Sequence, residues 1–211
     1  MEINIETISA VALGIGLSAS TGFRVFIPLL VAGIASHFGL LPLGESFEWM
    51  GSAPALISFG VAAVAEVLAY YIPFVDNLLD HIATPLSIGA GTLLMTSVFP
   101  ADNEWIKWIM GFVVGGGAAA TIQSGSAVTR LLSTSFTAGT GNSVVSTGEG
   151  VAATGFSVMS LFTPILVAVL LMIVMIIMLR FAYRRMTRKK KNEITAQNRP
   201  ETARPAAGSN E

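Results

Sequence analysis

Cysteine is absent from the 211 residues, which excludes structural disulfides, cysteine nucleophiles and cysteine metal sites. Histidine is nearly absent, with only His37 and His81, and no acidic cluster is spaced to complete a site around either, so no metal is expected. No nucleophile-and-base spacing and no phosphate loop occurs, so the chain is not expected to be an enzyme or to need a cofactor. Charge is scarce as well. Only 12% of residues are charged, about half the ~25% usual in soluble domains. Positive charge is the rarest of all: residues 1–179 hold only Arg24, Lys107 and Arg130, against ten acidic residues. The N-terminal MEINIE has no basic stretch, so a cleaved signal peptide is not expected.

What fills the chain instead is hydrophobic sequence, 53% of it, with a mean hydropathy of +0.69. Its apolar runs reach membrane-spanning length, which predicts an all-α, polytopic membrane helical bundle. The last run ends in Arg180, Arg184, Arg185, Arg188 and Lys189 to Lys191. By the positive-inside rule that end is cytoplasmic, in the cell's inner (plasma) membrane. Such a cluster also suits anionic lipid or RNA, but orientation alone accounts for it. Membrane lipids are therefore the expected partners, and nucleic acid is not. Residues 1–185 read as the membrane domain and 186–211, polar and rich in Pro, Ala and Asn, as a disordered basic cytoplasmic tail.

Along the chain, the apolar stretch 7–37 exceeds the roughly 20 residues needed to span and is interrupted by the polar Ser18-Ala-Ser-Thr-Gly-Phe-Arg24, with Pro28 beyond. It is one broken helix or a re-entrant pair. A loop without basic residues follows, then a helix from Pro54 to about Tyr71 with Glu66 deep inside it. Pro73 breaks that helix and Asp76 opens the next, with Asp80 a turn later and Thr84-Pro85 interrupting. Trp105, Lys107 and Trp108 read as an interfacial anchor, and the spacing of Gly111 and Gly115 permits close helix approach. The stretch 124–149 is dense in Ser, Thr and Gly, broken at Gly139-Thr-Gly-Asn142. From Val144 a long helix is expected to pass Glu149, kink at Pro164 and end in the basic cluster.

The chain also repeats itself. A shift of 106 residues aligns Ser18, Ser20, Arg24, Ala32 and Gly33 with Ser124, Ser126, Arg130, Ala138 and Gly139. Each copy follows a glycine-containing apolar run and precedes a helix with one acid, Glu66 or Glu149. Two inverted repeats of about three passes each, residues 7–100 and 104–180, with broken helices and a polar midplane site, fit this order. Counting the broken segments twice would make the repeats parallel.

These residues resemble the DUF4126 family of bacterial membrane proteins. Its early motif is similar to Ser20-Thr-Gly-Phe-Arg-Val-Phe-Ile-Pro-Leu-Leu30, its second to Glu66 through Asp80, and its third, the most specific, to Gly139 through Gly150. Tyr70-Tyr71 stand where an Asp-Lys pair is common in the family, and Gly150 where an Asp is common. The resemblance spans roughly residues 8–175; it implies the membrane fold and names no activity.

Glu66 and Glu149 are the sharpest candidates for chemistry. Carboxylates at membrane depth bind a proton, a cation or a substrate, or else they pair. Pairing with Arg24 and Arg130 would clamp helices whatever the function, because a lone buried charge costs several kcal/mol. Ser20, Ser126 and Asn142 supply polar groups that solvate a substrate or satisfy backbone freed at helix breaks. Asp76 and Asp80 suit a helix start, with capping the plainer role. The function expected is a small secondary transporter or channel-like protein, with a small molecule or ion held between paired charges. The alternative is a non-transporting scaffold or lipid-binding protein. A homo-oligomer is compatible with either.

Overall fold

A computed structural model describes residues 4–137 and 141–197, without the side chains of 73–78, 80–81, 181–182 and 185–197. Eight α-helices and no strand occur among the described residues, so the chain is all-α. Helix α1, Ile5–Ser20, opens where the Asn4 side chain accepts a hydrogen bond from the Thr7 amide at 2.8 Å. It ends at Thr21, and α2, Phe26–His37, begins after Val25. The polar stretch predicted to interrupt this region does so. At 1.5 Å per residue the two pieces are about 24 and 18 Å long, each short of a roughly 30 Å hydrocarbon core. A 3₁₀ helix, Glu45–Gly51, leads into α3, Ala53–Ala69, which Ser52 caps and in whose first turn Pro54 lies. The two are bent by 62°.

Helix α4, Pro73–Val98, continues through Thr84-Pro85, where the sequence predicts an interruption. Next come α5 (Glu104–Met110), a π-helical turn (Gly111–Gly116) and α6 (Gly117–Thr137). Ser124 to Arg130 therefore stays helical, unlike its counterpart Ser18 to Arg24. The hydroxyls of Thr121, Ser124 and Thr129 each return to the carbonyl four residues earlier, so a polar composition leaves the helix intact. Helix α7, Asn142–Phe162, starts beyond residues 138–140, which lie outside the described residues. Thr163 then leaves the helical conformation and Pro164 starts α8, so the expected kink is a full break. Helix α8 continues through the basic cluster to Gln197; the tail expected to be disordered from Met186 thus starts as helix, and 198–211 lie outside the described residues.

Helix α1 packs against α4, α6, α7 and α8, while α2 lies against α3 and α7. The π-helical turn sits directly on α4. A Cβ on Gly115 would overlap the Gly91 carbonyl, and one on Gly111 would meet the Thr92 carbonyl at 2.9 Å. The expected close approach is real, and only glycine permits it. Leu17, Leu29, Met50 and Leu94 form one apolar cluster; Ile122, Val167 and Leu171 form another.

The helix faces are distributed unusually. On α3 Ala63, Glu66 and Tyr70 point inward while Ile57, Val61, Val64 and Leu68 are exposed. On α6 Gln123, Ser126 and Arg130 are buried and Val128, Leu131 and Phe136 exposed. On α7 Ser146, Glu149, Ser157 and Ser160 are buried and Val144, Val151, Val158 and Phe162 exposed. By length and composition one continuous helix, Glu104–Thr137, could cross a membrane, or two if the bent pair at Glu45–Ala69 counts as one span. Shorter apolar helices cover Ile5–Ser20, Phe26–His37, Ile82–Val98 and Pro164–Arg180.

Candidate functional site

The break between α1 and α2 does two things at once. It frees the first amides of α2, and it turns Arg24 into the interior, where the residue is 1% exposed. Both consequences are met by carboxylates. From α3, Glu66 reaches the start of α2, where its Oε1 accepts from the Val25 amide at 2.9 Å and its Oε2 from the Phe26 amide at 3.0 Å. A carboxylate on the positive end of a helix is favourable in any setting, and more so when buried.

Glu149, on the buried face of α7, takes the other charges. Its carboxylate accepts from Ser126 Oγ and from Arg130 Nε at 3.2 Å and Nη2, all on α6. Arg24 Nη2 lies 3.7 Å from Glu149 Oε2 and donates to the Ser146 carbonyl, at 2.9 Å, and to its hydroxyl. The guanidinium carbons of Arg24 and Arg130 lie 3.9 and 4.0 Å from the centre of the Tyr70 ring, so one aromatic ring serves two cations. Among the described side chains, four formal charges, two of each sign, thus occupy one buried volume, with Glu66 9%, Glu149 6% and Arg130 3% exposed.

Of the residues singled out from sequence, Arg24, Arg130, Glu149 and Ser126 meet in one network. Glu66 stands beside it on backbone donors, not on an arginine as pairing predicted. Ser20 is buried but donates to the Gly16 carbonyl of its own helix. Asn142 bridges to Thr134, linking α7 to α6, with its Nδ2 donating at 3.0 Å. Asp76 and Asp80 have side chains outside the described residues. No group of three or more His, Cys, Asp or Glu that could hold a metal occurs among the described residues.

Tyr70 and Ser146 were not found from sequence as site residues. The signal was there. Tyr70 follows Glu66 by one helical turn and Ser146 precedes Glu149 by one, so each shares its partner's face. At the rim the Tyr71 hydroxyl, exposed, lies 2.8 Å from that of Thr147 and ties the end of α3 to α7.

Two of the cavities among the described residues lie elsewhere. One of about 620 Å³ lies between α6 and α8 and is lined by Gly125, Val128, Thr129 and Met178. Another of about 550 Å³ lies by His37, Glu48 and Gly51.

A family model described as "Domain of unknown function (DUF4126)" matches residues 11–184, a span that takes in every member of the charge cluster. No curated protein and no solved structure matches the chain.

Proposed function

Since the chain belongs to the DUF4126 family, whose description names no activity, we propose from its geometry that it is a multi-pass membrane protein acting as a small secondary transporter or channel-like protein. The observation that carries this reading is the inside-out distribution of α3, α6 and α7: Glu66, Arg130 and Glu149 inward, aliphatic stripes outward. In water such stripes would be large exposed apolar patches; in a bilayer they meet acyl chains, and the charges keep to the interior where partners are. Counting α1 and α2 as one broken pass gives three passes before Asp102 and three after, compatible with inverted repeats and with both termini cytoplasmic in the inner membrane. The broken helix then presents its half-helix end and the charge cluster near the midplane, as transporter sites do. No cofactor, metal or nucleic acid enters this reading.

A non-transporting scaffold is the second reading, and Glu66 favours it, because both of its oxygens are committed to holding the start of α2. Reconstitution separates the two. Purified protein in liposomes should pass at least one solute from a panel of inorganic ions and weak organic acids. Glu149→Gln should cut that flux at least tenfold while remaining folded. A scaffold would give no flux above empty liposomes and a lowered melting temperature in the same variant.

A further inference from the structure

The cluster is better built for an anion than for a cation or a proton. Every carboxylate oxygen in it already faces donors: Glu66 has the Val25 and Phe26 amides, and Glu149 has Ser126 and Arg130, with Arg24 close by. A cation entering here would have to displace N–H groups from oxygens while lying against two guanidinium groups. Among the described side chains, Arg24 has donors to spare. Nε and Nη1 of Arg24, a residue 1% exposed, have no hydrogen-bond partner among the described residues. Unmet buried N–H groups are rare and costly, and they ask for an oxygen acceptor. The guanidinium carbon of Arg24 lies 3.9 Å from the centre of the Tyr70 ring, and guanidinium N–H groups point outward in their own plane.

Three sources of positive potential therefore converge: Arg24, Arg130 and the first turn of α2, a helix of 12 residues. Tethered carboxylates occupy two of them. Resting on the reading that this cluster is the transport site, we propose that its substrate is a small oxyanion, a carboxylate, phosphate or sulfate, that binds Arg24 and Arg130 in exchange for the side chain of Glu149. Glu149 is the exchangeable occupant because side chains hold it; Glu66 stays, because its partners are fixed backbone amides. A planar guanidinium with open N–H groups matches an oxyanion in both charge and geometry.

The melting temperature of the full chain in detergent tests this against sodium formate, acetate, phosphate and sulfate at fixed ionic strength, with sodium, potassium and magnesium chloride as references. At least one oxyanion should raise it saturably, and the comparison of formate and acetate with phosphate and sulfate tells which kind. Glu149→Gln removes the competing charge, so its half-saturating oxyanion concentration should fall at least tenfold. Arg24→Gln should abolish the response; if it does not fold, Glu149→Gln alone decides. A response to the metal cations only, no oxyanion response in Glu149→Gln, or equal half-saturation in variant and parent overturns the proposal. Oxyanion binding without flux in liposomes would keep this inference and remove the transport reading. Cation flux without any oxyanion response would do the reverse.

Discussion

Glu66 and Glu149 are the same functional group and nearly equally buried, yet they are held by different kinds of partner. Glu66 sits on two backbone amides at the start of α2. Those donors cannot turn away without unwinding the helix. Glu149 sits among side chains, two arginines and a serine, each of which can rotate to a new acceptor. The difference teaches that burial alone does not mark a functional carboxylate; the freedom of its donors does. One carboxylate is part of the frame, the other a movable occupant of it.

The largest expected effect tests the charged end. Glu149→Leu would take from Arg24 and Arg130 the carboxylate that they share, and should cost about 3–5 kcal/mol of stability in a denaturant titration. A loss below 1 kcal/mol would mean that water already reaches the arginines, and the contrast with Glu66 would fail. Tyr70→Leu removes a ring shared by two desolvated cations and should cost about 2–4 kcal/mol, and Tyr70→Phe, which keeps the ring, divides that loss between ring and hydroxyl. Equal losses in the two would shift the role from the ring to its hydroxyl. Smallest is Glu66→Gln, expected to cost about 1–3 kcal/mol, because its amide nitrogen would face a backbone N–H. If the two ends are separate, this loss adds to that of Glu149→Gln within about 0.5 kcal/mol in a double-mutant cycle. A larger coupling would merge them into one site.

Much of this was legible in the sequence, and the reasons are local. Pro54 marks a real helix start and Pro73 a real boundary, while Pro164, which reads as a kink, is a full break, because proline fixes the backbone and lacks the amide that a first turn can spare. The inward set of Arg24, Arg130 and Glu149 was legible from the rarity of charge, since a lone ion in an apolar chain must find a partner. Two things were not legible. The continuity of α6 through Ser124 to Arg130 depends on hydroxyls bonding back along their own helix, a choice composition does not encode. The division of partners, with both arginines on Glu149 and none on Glu66, depends on where α3 meets the start of α2, and spacing along one chain carries no such distance.

The π-helical turn between α5 and α6 has a consequence far from its own position. A widened turn inserts one residue into the winding, and in a helix of 3.6 residues per turn that advances everything after it by about 100°. The clocking of α6, with Gln123, Ser126 and Arg130 inward and Val128 and Leu131 outward, is therefore indexed at Gly111–Gly116, where glycines seat the turn against α4. A chain one residue shorter in that turn could keep its composition and every helix, yet swing Arg130 out of line with Glu149.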